Sequence, residues 1–313
     1  MAQRHDGDFG FRGGKTMSMK RIWALLCSAS LISACGSADE SSGTDTTGSE
    51  ENDVLPALVG DFSCFEPGQA WLEQTLKAET GTTVTSALLG VPLGGDDGEY
   101  SAEVDISFWY DNSTDGEPDA SGITGNDGVL TVELPSCQPL TTLAVRTIDT
   151  ELTYKANFVI DPENPDAEVT VVESLTAASI KAILNESTSE TSSLVAGTIY
   201  DCNQDPVLNA RARVKDSSGA ILSDARDYYF NDASLPTRRS NRSYTNTDGR
   251  WVVFNLPVGP VTIEVYGNIC EGEDCTEVVL GTTDLTSIGD SVNIGNVFAG
   301  IEGGVYYPQS CLQ

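Results

Sequence analysis

The chain has 313 residues, with 17 Lys and Arg against 47 Asp and Glu and a formal net charge of −30. A polyanion on this scale is repelled by nucleic acid and by anionic lipid headgroups, and it makes divalent cations natural companions. The only histidine is His5, so everything beyond it lacks the base of serine–histidine and cysteine–histidine catalysis and the commonest ligand of zinc or haem. Carboxylate chemistry such as glycoside hydrolysis stays open, although in so acidic a chain a carboxylate pair arises by chance.

Residues 1–16 are polar and glycine-rich and fit no export pattern, which places the true start at Met17 or Met19. Lys20 and Arg21 then form a short positive patch, followed by a mostly apolar run from Ile22 to Ala34. The run is too short for the roughly 20 residues of a spanning helix, but it has the shape of a cleavable export signal. It ends Ile32-Ser33-Ala34-Cys35, which resembles the lipobox of bacterial lipoproteins. The resemblance implies cleavage before Cys35 and acylation of that cysteine, and several acyl chains together hold a protein firmly to a membrane. Residues 36–54 (GSADESSGTDTTGSEENDV) contain almost nothing that can be buried. Such a segment cannot recover its ordering entropy and reads as a disordered acidic tether reaching roughly 25 Å.

From residue 55 the pattern becomes strand-like. In 102–110 (AEVDISFWY) alternation places Val104, Ile106, Phe108 and Tyr110 on one face. The runs 128–135, 141–148 and 154–160 follow, each short, β-rich and bounded by turn residues, as in an antiparallel sandwich. Residues 174–185 (SLTAASIKAILN) give the best helix, with Ile180, Ile183 and Leu184 on one face and Ser174 or Thr176 as its cap. It reads as a connector.

The second half repeats the plan at 193–201, 209–219, 248–257 and 261–268. GNDGVLTVELP in the first half aligns with NTDGRWVVFNLP in the second. Each carries an Asp-Gly turn that tolerates positive φ, an alternating strand and a closing Leu-Pro. Upstream, Ser101-Ala102-Glu103-Val104 falls where Asn209-Ala210-Arg211-Ala212 falls. Residues 193–268, with AGTIYD, PVLNARARV, TNTDGRW and LPVG in that order, resemble a carboxypeptidase regulatory-like domain of the transthyretin-like (prealbumin-like) fold. The first half matches at its A-x-V and Asp-Gly to Leu-Pro segments and departs over 65–100. The resemblance implies a seven-strand Greek-key sandwich, an adhesive or structural role and no enzymatic site.

The expected fold class is therefore all-β: two tandem Ig-like or transthyretin-like Greek-key sandwiches joined by one short helix, behind a signal peptide and a tether. The expected segments are 1–34 (discarded start and signal), 35–54 (lipidated cysteine and linker), 55–173 (first sandwich with its leader), 174–190 (connector) and 191–313 (second sandwich).

Beyond Cys35 stand six cysteines: Cys64, Cys137, Cys202, Cys270, Cys275 and Cys311. An even number in an exported chain reads as three disulfides, with 15 pairings open. Position along the two sandwiches favours Cys64–Cys137, Cys202–Cys311 and Cys270–Cys275.

Two stretches bear on binding. Asp111, Ser113, Asp115, Glu117 and Asp119 place oxygen ligands at alternate positions, as hard cations require. Gly122 stands where a twelfth-position glutamate would complete an EF-hand, so the alternatives are a loose calcium loop and a solvated acidic turn. Arg238, Arg239 and Arg242 lie near Tyr228, Tyr229, Phe230 and Tyr244. Arginine and tyrosine are what interfaces concentrate, so this tract reads as a binding loop or as a basic segment neutralised by its surroundings.

The function expected is that of a non-enzymatic lipoprotein at the outer membrane or cell surface, with a periplasmic-facing orientation also open. It would bind an envelope or extracellular protein or polysaccharide, with no cofactor unless calcium. The alternatives are a carbohydrate-binding or carboxylate-based carbohydrate-active protein, and a substrate-capturing lipoprotein of an outer-membrane transporter.

Overall fold

This computed structural model describes residues 55–65, 72, 74–77, 81–93, 101–110, 114, 116–146, 149–238 and 240–313. The signal 1–34, Cys35 and the tether to residue 54 lie outside the described residues, as do Asp111, Ser113, Asp115 and Arg239.

The first half runs β1 (Thr83–Leu93), β2 (Asp105–Trp109), β3 (Ala120–Ile123), β4 (Val129–Pro135), β5 (Leu140–Val145), β6 (Thr153–Phe158) and β7 (Ala167–Val172). The helix α1 (Ser174–Leu184) leads to β8 (Ser192–Tyr200), β9 (Arg211–Asp216), β10 (Arg226–Phe230), β11 (Pro236–Thr237) and β12 (Arg250–Pro257). The long hairpin β13 (Gly259–Glu271) and β14 (Asp274–Ser287) follows, then the short β15 (Val292–Ile294) and β16 (Val297–Phe298).

The alternation in β2 does what the pleat demands: Val104, Ile106 and Phe108 are fully buried. They pack with Leu88, Leu134, Leu140, Phe158, Val169 and Val171 into the first core. That core lies between the sheet β4-β1-β7 and the strands β6-β5-β2-β3. The second core gathers Trp251, Tyr229, Ile199, Ile263 and Leu280 among others, with β14-β13-β9 as one of its layers.

The internal repeat is present at the level of single hydrogen bonds. Thr124 Oγ1 accepts from Val104 N–H and donates to Ser101 O. Thr245 Oγ1 likewise accepts from Ala210 N–H and donates to Val207 O. Glu103 and Asn209 share the left-handed region, with φ of 60° and 68°, as do Gly128 and Gly249 of the Asp-Gly turns. The equivalence thus pairs Glu103 with Asn209, two residues out of step with the alignment drawn from the sequence. The A-x-V letters shared by Ala102-Glu103-Val104 and Ala210-Arg211-Ala212 therefore do not mark equivalent backbone positions.

The two halves share a sheet. The order β11-β10-β12-β8-β15-β6-β5-β2-β3 is continuous, because β15 runs parallel to both β8 and β6. Val292 stands opposite Leu194 on one side and Thr153 on the other. The chain ends are also exchanged between the halves. The leader forms bridges Ala57–Asn268 and Val59–Leu208, and its Leu58, Phe62 and Phe65 pack on the second core. The C-terminal Leu312 bridges back to Leu76, and Ser310 donates to Asp161 of the first half.

The disulfides follow this exchange. Cys64 bonds Cys202, Cys137 bonds Cys311, and Cys270 bonds Cys275. The expected Cys64–Cys137 and Cys202–Cys311 pairs are therefore corrected, because the leader lies on the second half and the tail on the first.

The helix needs two corrections. Glu173, in extended conformation and without a capping side-chain bond, precedes it, rather than a Ser174 or Thr176 cap. Ala177 and Leu184 are its buried residues, while Ile183 is 43% exposed. Asn185 closes the helix at φ 57°, ψ 45°, the left-handed stop that asparagine tolerates.

Candidate functional site

A cleft of about 420 Å³ with mixed chemistry lies where the two halves meet. One wall comes from β6 and from Asp166 to Glu168, and the other from Asn296, Phe298, Gly304 and Tyr306. Its position follows from a bulge. Asn157 has φ 58°, so β6 breaks its pleat there. The Asn157 amide then donates to Thr283 Oγ1, Asp284 O and Gly303 O of the second half. A residue that tolerates the left-handed region and carries two amide hydrogens is what the position requires.

Lys155, two residues earlier, lies over the Phe158 ring with Nζ 5.1 Å from its centroid. It forms no ion pair among the described residues. Burial pulls its pKa down, and the charge of Glu168 opposes that shift. Opposite stands an aromatic stack: Phe298 lies between Tyr200 and Tyr306, with centroids 5.2 Å and 4.8 Å away. Gln204 Nε2 donates to the Tyr306 hydroxyl and fixes the outer ring. Asn296 Oδ1 accepts from Thr198 N–H, which aims the amide and leaves its NH₂ without a partner among the described residues.

The sequence did not single out these residues. The available signal was a lysine and an asparagine in an otherwise apolar strand run, YKANFVI, together with Phe298 and Tyr306 near the end of the chain.

The binding-loop expectation is corrected in part. Tyr229 is fully buried, and Tyr228 and Phe230 are each 9% exposed. They belong to β10, where they serve the cores. Tyr229 donates to Asp227 Oδ2 and accepts from Ala212 N–H. Burial, reinforced by the neighbouring Glu186 carboxylate to which it donates, pushes the Tyr228 hydroxyl up to about 12. The pattern was misleading because an aromatic run in a strand and an aromatic run in a paratope are alike in sequence. What remains outside the core is Arg238, which is exposed, and Arg242, whose guanidinium carbon is 5.5 Å from the Tyr244 centroid.

Of the five calcium candidates, Glu117 and Asp119 are described, and both are exposed. Asp119 Oδ2 accepts from Tyr110 N–H across the turn. No group of three or more His, Cys, Asp or Glu positioned for a metal occurs among the described residues. Among them, no helix is long and apolar enough to cross a membrane.

The cross-strand pair Cys270–Cys275 staples the tip of the β13–β14 hairpin, and the tip from Glu271 to Glu277 is exposed. The basic side chains of β9 are spent on structure: Arg213 and Lys215 both donate to Glu264 on β13.

No protein-family model matches this chain, and no curated protein matches it. Among solved structures it is similar to the shaft pilin SpaA of Lactobacillus rhamnosus GG. That match has 14% identity, covers 70% of this chain and 98% of that one, and has a TM-score of 0.22. The TIE protein of Bacillus anthracis matches at 13% identity over 69% of this chain and 34% of that one, TM-score 0.23. BcpA, the major pilin subunit of Bacillus cereus, matches at 10% identity over 70% and 99%, TM-score 0.22. At these TM-scores the likeness carries no inference of function.

Proposed function

We propose that this chain is a non-enzymatic surface lipoprotein, held by an acylated Cys35 on the tether 36–54 and presenting a locked all-β body for binding outside the cell. The reading rests chiefly on one observation. Three disulfides close the body, and two of them cross between its halves. Disulfides persist in oxidising compartments, which agrees with the export signal read at 20–35. A body tied at both ends resists local opening, which suits presentation beyond the acidic segment 36–54.

Cell fractionation tests the reading. Wild type should carry palmitate label, partition into detergent and be cleaved by protease added to whole cells. Cys35→Ser should lose the label and appear in soluble fractions. Equal membrane retention of the two proteins would overturn the anchor, and protection from protease in intact cells would overturn surface display.

A further inference from the structure

We propose that the cleft between the halves binds a neutral saccharide, laid against the Phe298–Tyr306 wall and hydrogen-bonded by Lys155, Glu168 and Asn296. The proposal deepens the surface-binding reading by naming a ligand class.

Volume comes first. About 420 Å³ falls within the roughly 300–1,000 Å³ of small-molecule sites, and it suits one or two sugar rings rather than a folded partner. Polarity comes next. An apolar ligand would strip water from the Lys155 ammonium, the Asn296 amide and the carboxylates of Asp166 and Glu168 without replacing their hydrogen bonds, which is costly.

Charge then narrows the choice. Asp166 and Glu168 at the rim, on a chain of net charge −30, repel an anion before it can reach Lys155. A polyhydroxylated neutral ring meets each demand. Its hydroxyls accept from Lys155 and Asn296 and donate to Glu168, while its C–H face covers an aromatic ring. The groups are held in advance: Lys155 by its ammonium over the Phe158 ring, Asn296 by its bond from Thr198, and Tyr306 by stacking and by Gln204. Preorganised groups lose little freedom when a ligand arrives.

The test uses the purified full-length chain with maltose, cellobiose, lactose and N,N′-diacetylchitobiose in ligand-observed saturation-transfer NMR. At least one disaccharide should receive transfer at its ring protons. Tyr306→Ala and Lys155→Met should each weaken that binding by about tenfold or more, while Tyr306→Phe should retain most of it. Lys155→Met keeps an unbranched side chain of similar length and removes the ammonium, whose contact with the Phe158 ring is offset by its burial, so its thermal melt should stay close to that of wild type. Transfer to none of the four sugars, or binding that survives both Tyr306→Ala and Lys155→Met, overturns the proposal. Failure here with surface display intact removes the cleft assignment alone. Loss of Cys35-dependent anchoring with sugar binding intact removes the surface reading alone.

Discussion

Cys64 and Cys202, 138 residues apart in sequence, are joined by a disulfide with their Cα atoms 5.4 Å apart. Cys137 and Cys311, 174 apart, answer it from the other half. The leader is thus tied to the second half and the tail to the first, so each half depends on chain supplied from the far end of the sequence.

Peptide mapping without reduction should recover Cys64–Cys202, Cys137–Cys311 and Cys270–Cys275, and a Cys64–Cys137 peptide would contradict the exchange. In the chain-entropy account a loop as long as the first constrains the unfolded chain by about 5 kcal/mol, against about 2 kcal/mol for the hairpin tip. Cys64→Ser/Cys202→Ser should therefore lower Tm clearly more than Cys270→Ser/Cys275→Ser, measured by calorimetry.

Leu58 of the leader lies directly over Gly267 of β13. A Cβ added at Gly267 would stand 2.5 Å from Leu58 Cδ2 and 2.8 Å from Cγ. Gly267→Ala should displace the leader and increase protease cutting within 55–63. Leu58→Ala alone should cost about 1–3 kcal/mol, less than the full range for a buried leucine because Leu58 is only half-buried. In the double variant the clash is gone, so the two costs should fall short of their sum. Strict additivity in denaturant melts would count against the contact.

Asn157 carries two burdens, the positive φ and the bonds that tie β6 to the second half. Asn157→Gly keeps the backbone conformation and leaves the acceptors unpaired, at about 1–3 kcal/mol. Asn157→Ala adds the left-handed penalty of roughly 1–2 kcal/mol. Denaturant unfolding should therefore rank wild type, then glycine, then alanine. An alanine variant as stable as the glycine one would refute the backbone half of the argument.

Burial pushes the Glu264 carboxyl up, but hydrogen bonds and charge from Lys215 and Arg213 outweigh it and hold the pKa below the ordinary glutamate value. A carboxyl with a lowered folded pKa contributes stability that is fully present above its unfolded value of about 4.3 and is lost as pH falls through the folded one. Glu264→Gln should therefore be less stable than wild type at pH 7, with the gap narrowing as pH drops below about 4. A gap independent of pH would show that packing, not charge, makes the difference.

The sequence by itself determined the local elements. Alternation located β2, β4 and β5, the Asp-Gly turns at 127–128 and 248–249 carried their positive φ, and the helix fell within the run 174–185. These depend on interactions between near neighbours, which a linear pattern records. Strand β1, TVTSALLGVPL, escaped because its hydrophobicity does not alternate: Ser86 and Gly90 share the inward face with Leu88, while Leu89 and Val91 stand on the other. Only the tertiary structure decided which cysteines meet, that β15 joins the halves into one sheet, and that Tyr228 to Phe230 turn inward. The cleft is of the same kind: Lys155, Glu168, Asn296 and Tyr306 share it because segments far apart in sequence are folded together. Such meetings depend on long-range packing, and no local spacing of residues encodes them.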